Sequence, residues 1–425
     1  MKNQIVKNDV NFLVPNTIVF IFLRVYTMKY ISLFLLSSAC TPLDFTNQYD
    51  VDDDNDGFSE FEGDCDDGNT SVFPEDLDGD GFTECDGDCD DENPNLTPED
   101  KDGDGISTCE GDCRDDDETF NASNCPIFVE ISAGSFTMGS NNSEVGRSID
   151  ENIHGVILTH DFLIMETEVT QSFYQLLTGN NPSTFSDLGD QYPVETVNWH
   201  TAAYACNLFS DMEGYDSCYS CVGDGPSISC TSAGNPYNCN GYRLPTEAEW
   251  EFAARSGTQR AFWTPNGGGD LTGNLVSSSD ENEYSSGSSN DCNPVGITLT
   301  EGSNLLNLAW YCGNNQAVGN NGYGTKPVGL LDPNAWGLYD MHGNVYEWVH
   351  DSYAYYASGN VNDPYGCDDP NFNPANIPEE GCGLYKIQRG GHWGWYPADL
   401  RSASRKKQSS TVGYKYTGFR MARTK

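Results

Sequence analysis

Three six-residue runs, DDDNDG at 52–57, DLDGDG at 76–81 and DKDGDG at 100–105, recur every 24 residues. Carboxylates at alternate positions converge on one point when a chain curls, and a glycine in the sixth place permits the sharp turn. A second element follows at the same period: GDCDD at 63–67, GDCDD at 87–91 and GDCRD at 111–115. Hard oxygen donors in this number suit Ca²⁺, which accepts six to eight oxygens in flexible geometry. The expected ligands are Asp52, Asp54, Asp56 and Asp64 in the first repeat, Asp76, Asp78, Asp80 and Asp88 in the second, and Asp100, Asp102, Asp104 and Asp112 in the third. Affinities at the weak extracellular end, on the order of 10⁻⁴–10⁻³ M, are expected.

These loops depart from an EF-hand. Its twelfth position needs a bidentate Glu and here holds Gly63, Gly87 and Gly111. The repeats resemble instead the calcium repeats of thrombospondin-type stalks. Few apolar residues are present to form a core, so metal and disulfides must order the segment. Cys65 and Cys85 are 20 residues apart, as are Cys89 and Cys109, with Cys113 and Cys125 following. Fifteen pairings are open to six cysteines; the repeat favours 65–85, 89–109 and 113–125.

Charge excludes one class of partner. Residues 50–125 carry 30 Asp+Glu against Lys101 and Arg114, and the formal net charge of the 425-residue chain is -44. A field of that sign repels nucleic acid and attracts cations. The N-terminus points to export. Apolar runs at 17–23 and 31–36 are interrupted by Arg24 and Lys29, and neither is long enough to span a bilayer. From Met28, MKYISLFLLSSACT resembles a bacterial lipoprotein signal with Cys40 as the lipidated residue. Residues 1–27 then read as an over-extended start, 28–39 as the signal, 40–49 as a linker, 50–125 as the repeats and 126–425 as a separate domain. The implied location is the outer membrane or surface of a Gram-negative cell, on its periplasmic or external face, with the lipid anchor as the contact with membrane.

That last domain must be positioned by modest elements. FVEISAGSFTMGS at 128–140 predicts an entering strand. The stretch 197–212 predicts a helix burying Trp199, Ala203, Cys206 and Phe209/Met212. In YRLPTEAEWEFAARSG, Thr246 and Glu249 predict a capping box, with a helix from Glu247 to near Gly257. Few long helices and many turns give an α+β fold of low regularity.

Five ordered blocks carry a family resemblance: PVETVNWHTAAYACN, YRLPTEAEWEFAARSG, NAWGLYDMHGNVYEWVHD, RGG-W…LRSASR and GFR. Together they are similar to the formylglycine-generating enzymes, the sulfatase-modifying factors, and imply that family's compact fold, related to C-type lectins. In the enzymes, two cysteines after the glycine pair hold copper. The matching positions are Trp395 and Leu400 (Pro397 when counted back from Arg401), and no cysteine follows Cys382. Soft Cu(I) needs thiolates, so copper is not expected. The sulfoxide-synthase branch uses an iron-binding histidine cluster; the six histidines here show no such pattern, and iron is not expected. The resemblance also implies a structural Ca²⁺ held by Asp340, the carbonyls of Gly343 and Val345, and Glu347.

The expected function is therefore binding: Arg389, Trp393, Trp395, Tyr396, Arg401 and Arg405 would line a groove for a peptide, a glycan or an envelope protein. The alternatives are an oxidoreductase with its metal elsewhere, and a purely structural envelope lipoprotein. Cys218, Cys221, Cys230 and Cys239 allow a zinc site or, in an exported chain, disulfides. Cys367 and Cys382 would close one loop, and Cys206 on an apolar helix face is the candidate free thiol.

Overall fold

The computed structural model describes residues 52–425, apart from 56, 60–61, 67, 71, 73, 122–123, 273–291, 293–295, 316–322, 357–358, 370–371 and 379–380. Cys40, the signal at 28–39 and Asp56 lie outside the described residues. The chain divides into two units, residues 1–73 and 74–425. The first unit holds the first repeat, and the second holds the other two together with the large domain.

Repeats two and three are built alike. After each acidic loop comes one 3₁₀ turn, Glu84–Asp86 and Thr108–Glu110, closed by Gly87 and Gly111 with φ of 98° and 100°. Only glycine adopts that left-handed backbone without cost. The disulfides Cys89–Cys109 and Cys113–Cys125 form as expected, and Cys65 and Cys85 are both disulfide-bonded.

The third repeat is not a spacer ahead of the domain. Phe120 is 1% exposed and belongs to the core cluster of Phe173, Trp199 and Phe209. Arg114 lies over the Phe120 ring at 4.9 Å and pairs with Glu213 at 2.7 Å. The domain's core thus includes a residue of the repeat, six positions ahead of the boundary expected at 126.

The domain itself is α+β. β1 (Phe128–Ile131), β4 (Phe162–Met165) and β12 (Ala422–Thr424) form an antiparallel sheet in the order β1-β4-β12. β2 (Gly134–Met138), β3 (His154–Leu158) and β8 (Val361–Asn362) form a second. The third runs β10-β9-β7-β11, from β7 (Tyr346–Ser352), β9 (Tyr385–Arg389), β10 (Lys406–Ser409) and β11 (Thr417–Gly418). β5 (Tyr219–Val222) and β6 (Ser229–Ser232) make a hairpin. The single strand expected over 128–140 is two, broken at Ser132–Ala133.

Three α-helices pack on these sheets. α1 (Gln171–Thr178) was not expected; Thr170 caps it and Gly179 ends it at φ 70°. α2 (Trp199–Met212) buries Trp199, Ala203, Cys206 and Phe209, but Met212 is 41% exposed. α3 (Glu247–Arg255) has the predicted capping box between Thr246 and Glu249, a motif contributing about 1 kcal/mol. Every residue of α3 is buried, its three glutamates included. Trp199, Trp250 and Trp348 are buried whole, each indole N–H donating at 2.8–3.0 Å to Val349, Glu347 and Val197 respectively. Cys206 is free and buried. Disulfides Cys218–Cys239 and Cys221–Cys230 replace the zinc reading; Cys367–Cys382 and Cys292–Cys312 complete the described pairs.

Candidate metal-binding and reaction sites

In the second repeat each acid spends one oxygen on the backbone. Asp78, Asp80 and Asp88 accept through Oδ1 from the N–H of Asp80, Phe82 and Asp90 at 2.9–3.0 Å. Asp76 takes two N–H groups, from Gly79 and Gly81, at 2.6 and 3.0 Å. The other oxygens, Oδ2 of Asp78, Asp80 and Asp88, are buried without a partner. Asp76, Asp78 and Asp80 bring one oxygen each within 4.8 Å of one another, and so do Asp78, Asp88 and Asp91. Asp91 was missed in the sequence. It accepts from Leu77 N–H at 3.3 Å, is 3% exposed, and leaves its own Oδ2 unpartnered.

The third repeat copies this arrangement. Asp100 takes Gly103 and Gly105, Asp102 takes Asp104, Asp104 takes Ile106 and Asp112 takes Arg114. Asp115, also missed, accepts from Lys101 N–H at 3.0 Å, as Asp91 does from Leu77. Oδ2 of Asp102 and Asp112 is buried and unpartnered, while that of Asp115, without a hydrogen bond, lies 3.6 Å from Lys101 Nζ. In the first unit, Asp52 receives Asn55 and Gly57, and Asp64 receives Asp66, again with its Oδ2 orphaned. Asp54 is among the described residues there. Burial pushes the carboxyls of Asp78, Asp91 and Asp112 up, and the neighbouring acids push the same way, against the pull of a backbone N–H. Buried, converging, mutually repelling oxygens fit a divalent cation.

The turn over 340–347 is different. Asp340 accepts from Gly329 N–H at 2.8 Å and leaves Oδ1 buried and unpartnered. Glu347 is already satisfied: Arg420 holds both its oxygens at 2.7 and 2.8 Å, and the Trp250 indole adds a third bond. Glu347, expected as a ligand with Asp340, is therefore also a guanidinium partner. The acid that stands orphaned is Glu168, 0% exposed, with neither oxygen partnered. Burial, then the charge of Asp340, drives its carboxyl well above the usual range; burial and Glu347 bring Asp340 to about 6. Gly343 must be glycine, since a Cβ would meet the Trp310 carbonyl oxygen. Val345 is fully buried beside it.

Among the described residues, the C-terminal arginines expected to line a groove are paired with carboxylates. Arg389 reaches Glu247 at 3.1 Å and Glu251 at 2.6 Å. Arg401 reaches Glu144 and Glu151, both at 2.7 Å. Arg405 grips Glu247 at 2.6 and 2.8 Å. All three guanidiniums are buried, so they lock α3 and the 144–151 segment rather than face a ligand. Trp393 and Trp395 are 1% and 8% exposed, and Tyr396 is half-buried. The three cations are thus spent on carboxylates and the two indoles lie in the core, while Tyr396 stays partly exposed.

Trp395 lies where a reacting thiol was sought. Its ring packs on His392 with centroids 5.1 Å apart, and Lys406 sits over it at 5.6 Å. A gap of about 20 Å³ remains, lined by Tyr346, His392, Trp395 and Tyr416 among others. Leu400 is fully buried, its carbonyl bonded to His342 Nδ1 at 2.8 Å. His342 also accepts the Trp263 N–H at 3.3 Å through Nε2, which fixes the neutral tautomer. Burial lowers His342 to about 4 and His350 and His392 to about 3.

Residues 115–425 match the sulfatase-modifying factor enzyme 1-like domain. The chain belongs to the sulfatase-modifying-factor family. The match begins at Asp115, ahead of Phe120, in keeping with the shared core. The sulfatase-modifying-factor relatives include the chaperone protein LppX of Paenibacillus barcinonensis, 31% identical over 242 residues, which are 55% of this chain and 69% of LppX. The formylglycine-generating enzyme of Mycobacterium tuberculosis is 36% identical over 110 residues, 26% of this chain and 27% of the enzyme. The chain thus spans about a quarter of that enzyme's length. Among solved structures, Treponema denticola variable protein 1 matches with a TM-score of 0.50 at 28% identity, over 71% of this chain and 95% of its own.

Proposed function

We propose that this protein is an exported, calcium-stabilised member of the sulfatase-modifying-factor family that binds a partner rather than oxidising one. What supports the binding reading is the pair of positions at which the enzymes carry thiols. Trp395 and Leu400 offer no sulfur; both are buried, and the gap beside Trp395 measures about 20 Å³. The relative named as a chaperone favours a role in handling or assembling another exported protein.

Calcium would be held by the orphaned oxygens of the repeats: Asp78, Asp80, Asp88 and Asp91 with Asp76 in the second, and Asp102 and Asp112 with Asp100, Asp104 and the Lys101-paired Asp115 in the third. A further ion at Asp340 would use Glu168, whose two buried oxygens otherwise have no partner. Calcium there supplies charge neutralisation and cross-linking, not redox chemistry. Lipidation at Cys40 and display at the outer membrane or cell surface complete the reading, and the disulfides support an oxidising compartment.

The test is metal content by mass spectrometry on the full chain, before and after chelation, beside oxygen uptake with a cysteine-containing peptide. Several calcium ions per chain and no uptake are expected. Stoichiometric copper or iron with peptide-dependent uptake overturns the reading in favour of an oxidoreductase.

A further inference from the structure

A second cavity shares no lining residue with the gap at Trp395. It measures about 280 Å³ and lies between the N-terminus of α3, β8 and the loop that Cys367–Cys382 closes. That is just below the roughly 300–1,000 Å³ of small-molecule sites, so its occupant is small. Four aromatic residues line it: Tyr355, Tyr356, Tyr365 and Phe372.

The charged lining is lopsided. Arg405 is present, but Glu247 takes its guanidinium at 2.6 and 2.8 Å, and the same Glu247 also serves Arg389. Those charges are settled within the protein. Asp351 also lines the cavity, is 3% exposed, accepts one backbone N–H from Glu247 at 2.7 Å, and is in no ion pair among the described residues. Asp369 lines the same space. Burial and the neighbouring Glu247 push the Asp351 carboxyl well above the usual range, against the pull of the Glu247 N–H and of Lys386, so a cation bound at its side would displace a proton from it.

We propose that this cavity binds a small organic cation, an ammonium carrying alkyl or aryl groups, between the aromatic walls and Asp351. Aromatic faces attract cations through the ring quadrupole, best where water is excluded. A sugar would fit less well: its many hydroxyls need many partners, and carbon dominates these walls. Arg405 already lies over the Tyr356 ring at 4.0 Å, and an inorganic cation would leave the rings of Tyr355, Tyr365 and Phe372 unused. This site is independent of the reading of the Trp395 region, and the two stand or fall separately.

The experiment is calorimetric titration of the calcium-loaded full chain with choline and with benzyltrimethylammonium. The controls are 3,3-dimethylbutanol, the uncharged carbon isostere of choline, and N-acetylglucosamine. Saturable binding of a quaternary ammonium is expected, with the isostere at least about tenfold weaker. Asp351→Asn keeps the acceptor for Glu247 N–H and removes the charge, and it should weaken the cation about tenfold or more. Tyr365→Leu should weaken it without touching the charge. If Asp351→Asn does not fold, the isostere comparison on the unaltered chain decides. Equal binding of the isostere, tighter binding of the sugar, no saturable binding of either cation up to millimolar concentrations, or full binding in both variants overturns the proposal.

Discussion

The protein buries carboxylates in two opposite ways. Along α3, Glu247, Glu249 and Glu251 are matched by Arg389, Arg405, Arg243 and Arg255, most at 2.6–2.8 Å. Each acid there has its counter-charge supplied by the chain itself. In the second and third repeats, buried acids face one another, with Lys101 and Arg114 as the bases of that segment. Both arrangements hide charge, but one closes on its own and the other leaves oxygens without a hydrogen-bond partner. A buried carboxylate is thus no signal of a site until its partners are known; unpartnered oxygens that converge are.

Chelation should give the largest effect and separates the two regions directly. Without divalent metal, backbone amides over 74–112 should lose hydrogen-exchange protection while those of α3 and β7 keep theirs, because ordering of such segments is coupled to metal binding. Equal protection with and without chelator would erase the distinction. Next in size is Glu247→Ala, which takes the carboxylate from buried Arg405 and one of two from Arg389, and should cost about 3–5 kcal/mol in denaturant unfolding. Glu247→Gln should cost less, as one oxygen remains to accept. Phe120→Ala tests whether the third repeat shares the domain's core: a loss of about 3 kcal/mol is expected, against nearly none if the repeat is only tethered.

Smaller effects sharpen the ligand assignment. Asp91→Asn should weaken calcium binding about tenfold by removing one charged donor, whereas Asp90→Asn, on an exposed neighbour, should change it little; calorimetry compares them. The smallest effect concerns protons. His392 is held near 3 by burial and by Lys406 and Lys415, below the unfolded value of about 6.5. Between these limits the unfolded chain binds the extra proton, so stability rises with pH across that window. His392→Phe should flatten that slope by about 1 kcal/mol per pH unit, read from urea titrations in chelator.

Local signals were legible in the sequence. The Thr246–Glu249 box and the twice-repeated glycine turns each depend on residues within one turn, and they stand where spacing put them. Helix α1 is short enough to escape periodicity, although Thr170 and Gly179 mark its ends. Asp91 and Asp115 went unseen because each returns 14 residues later to the N–H of Leu77 or Lys101, a closure that no fixed loop template contains. The arginines were misplaced for the same reason at greater range. Nothing near Arg401 in the chain announces Glu151, 250 residues earlier. Guanidinium beside indole reads alike in a groove and in a core.

Phe120 has a mechanical consequence. It lies inside the loop that Cys113–Cys125 closes, and its ring is seated among Phe173, Trp199 and Phe209. A pull applied at Cys113 or Cys125 would run through that covalent loop to the seat of Phe120. Whatever grips this protein by its acidic arm therefore has a handle on the interior of its folded head.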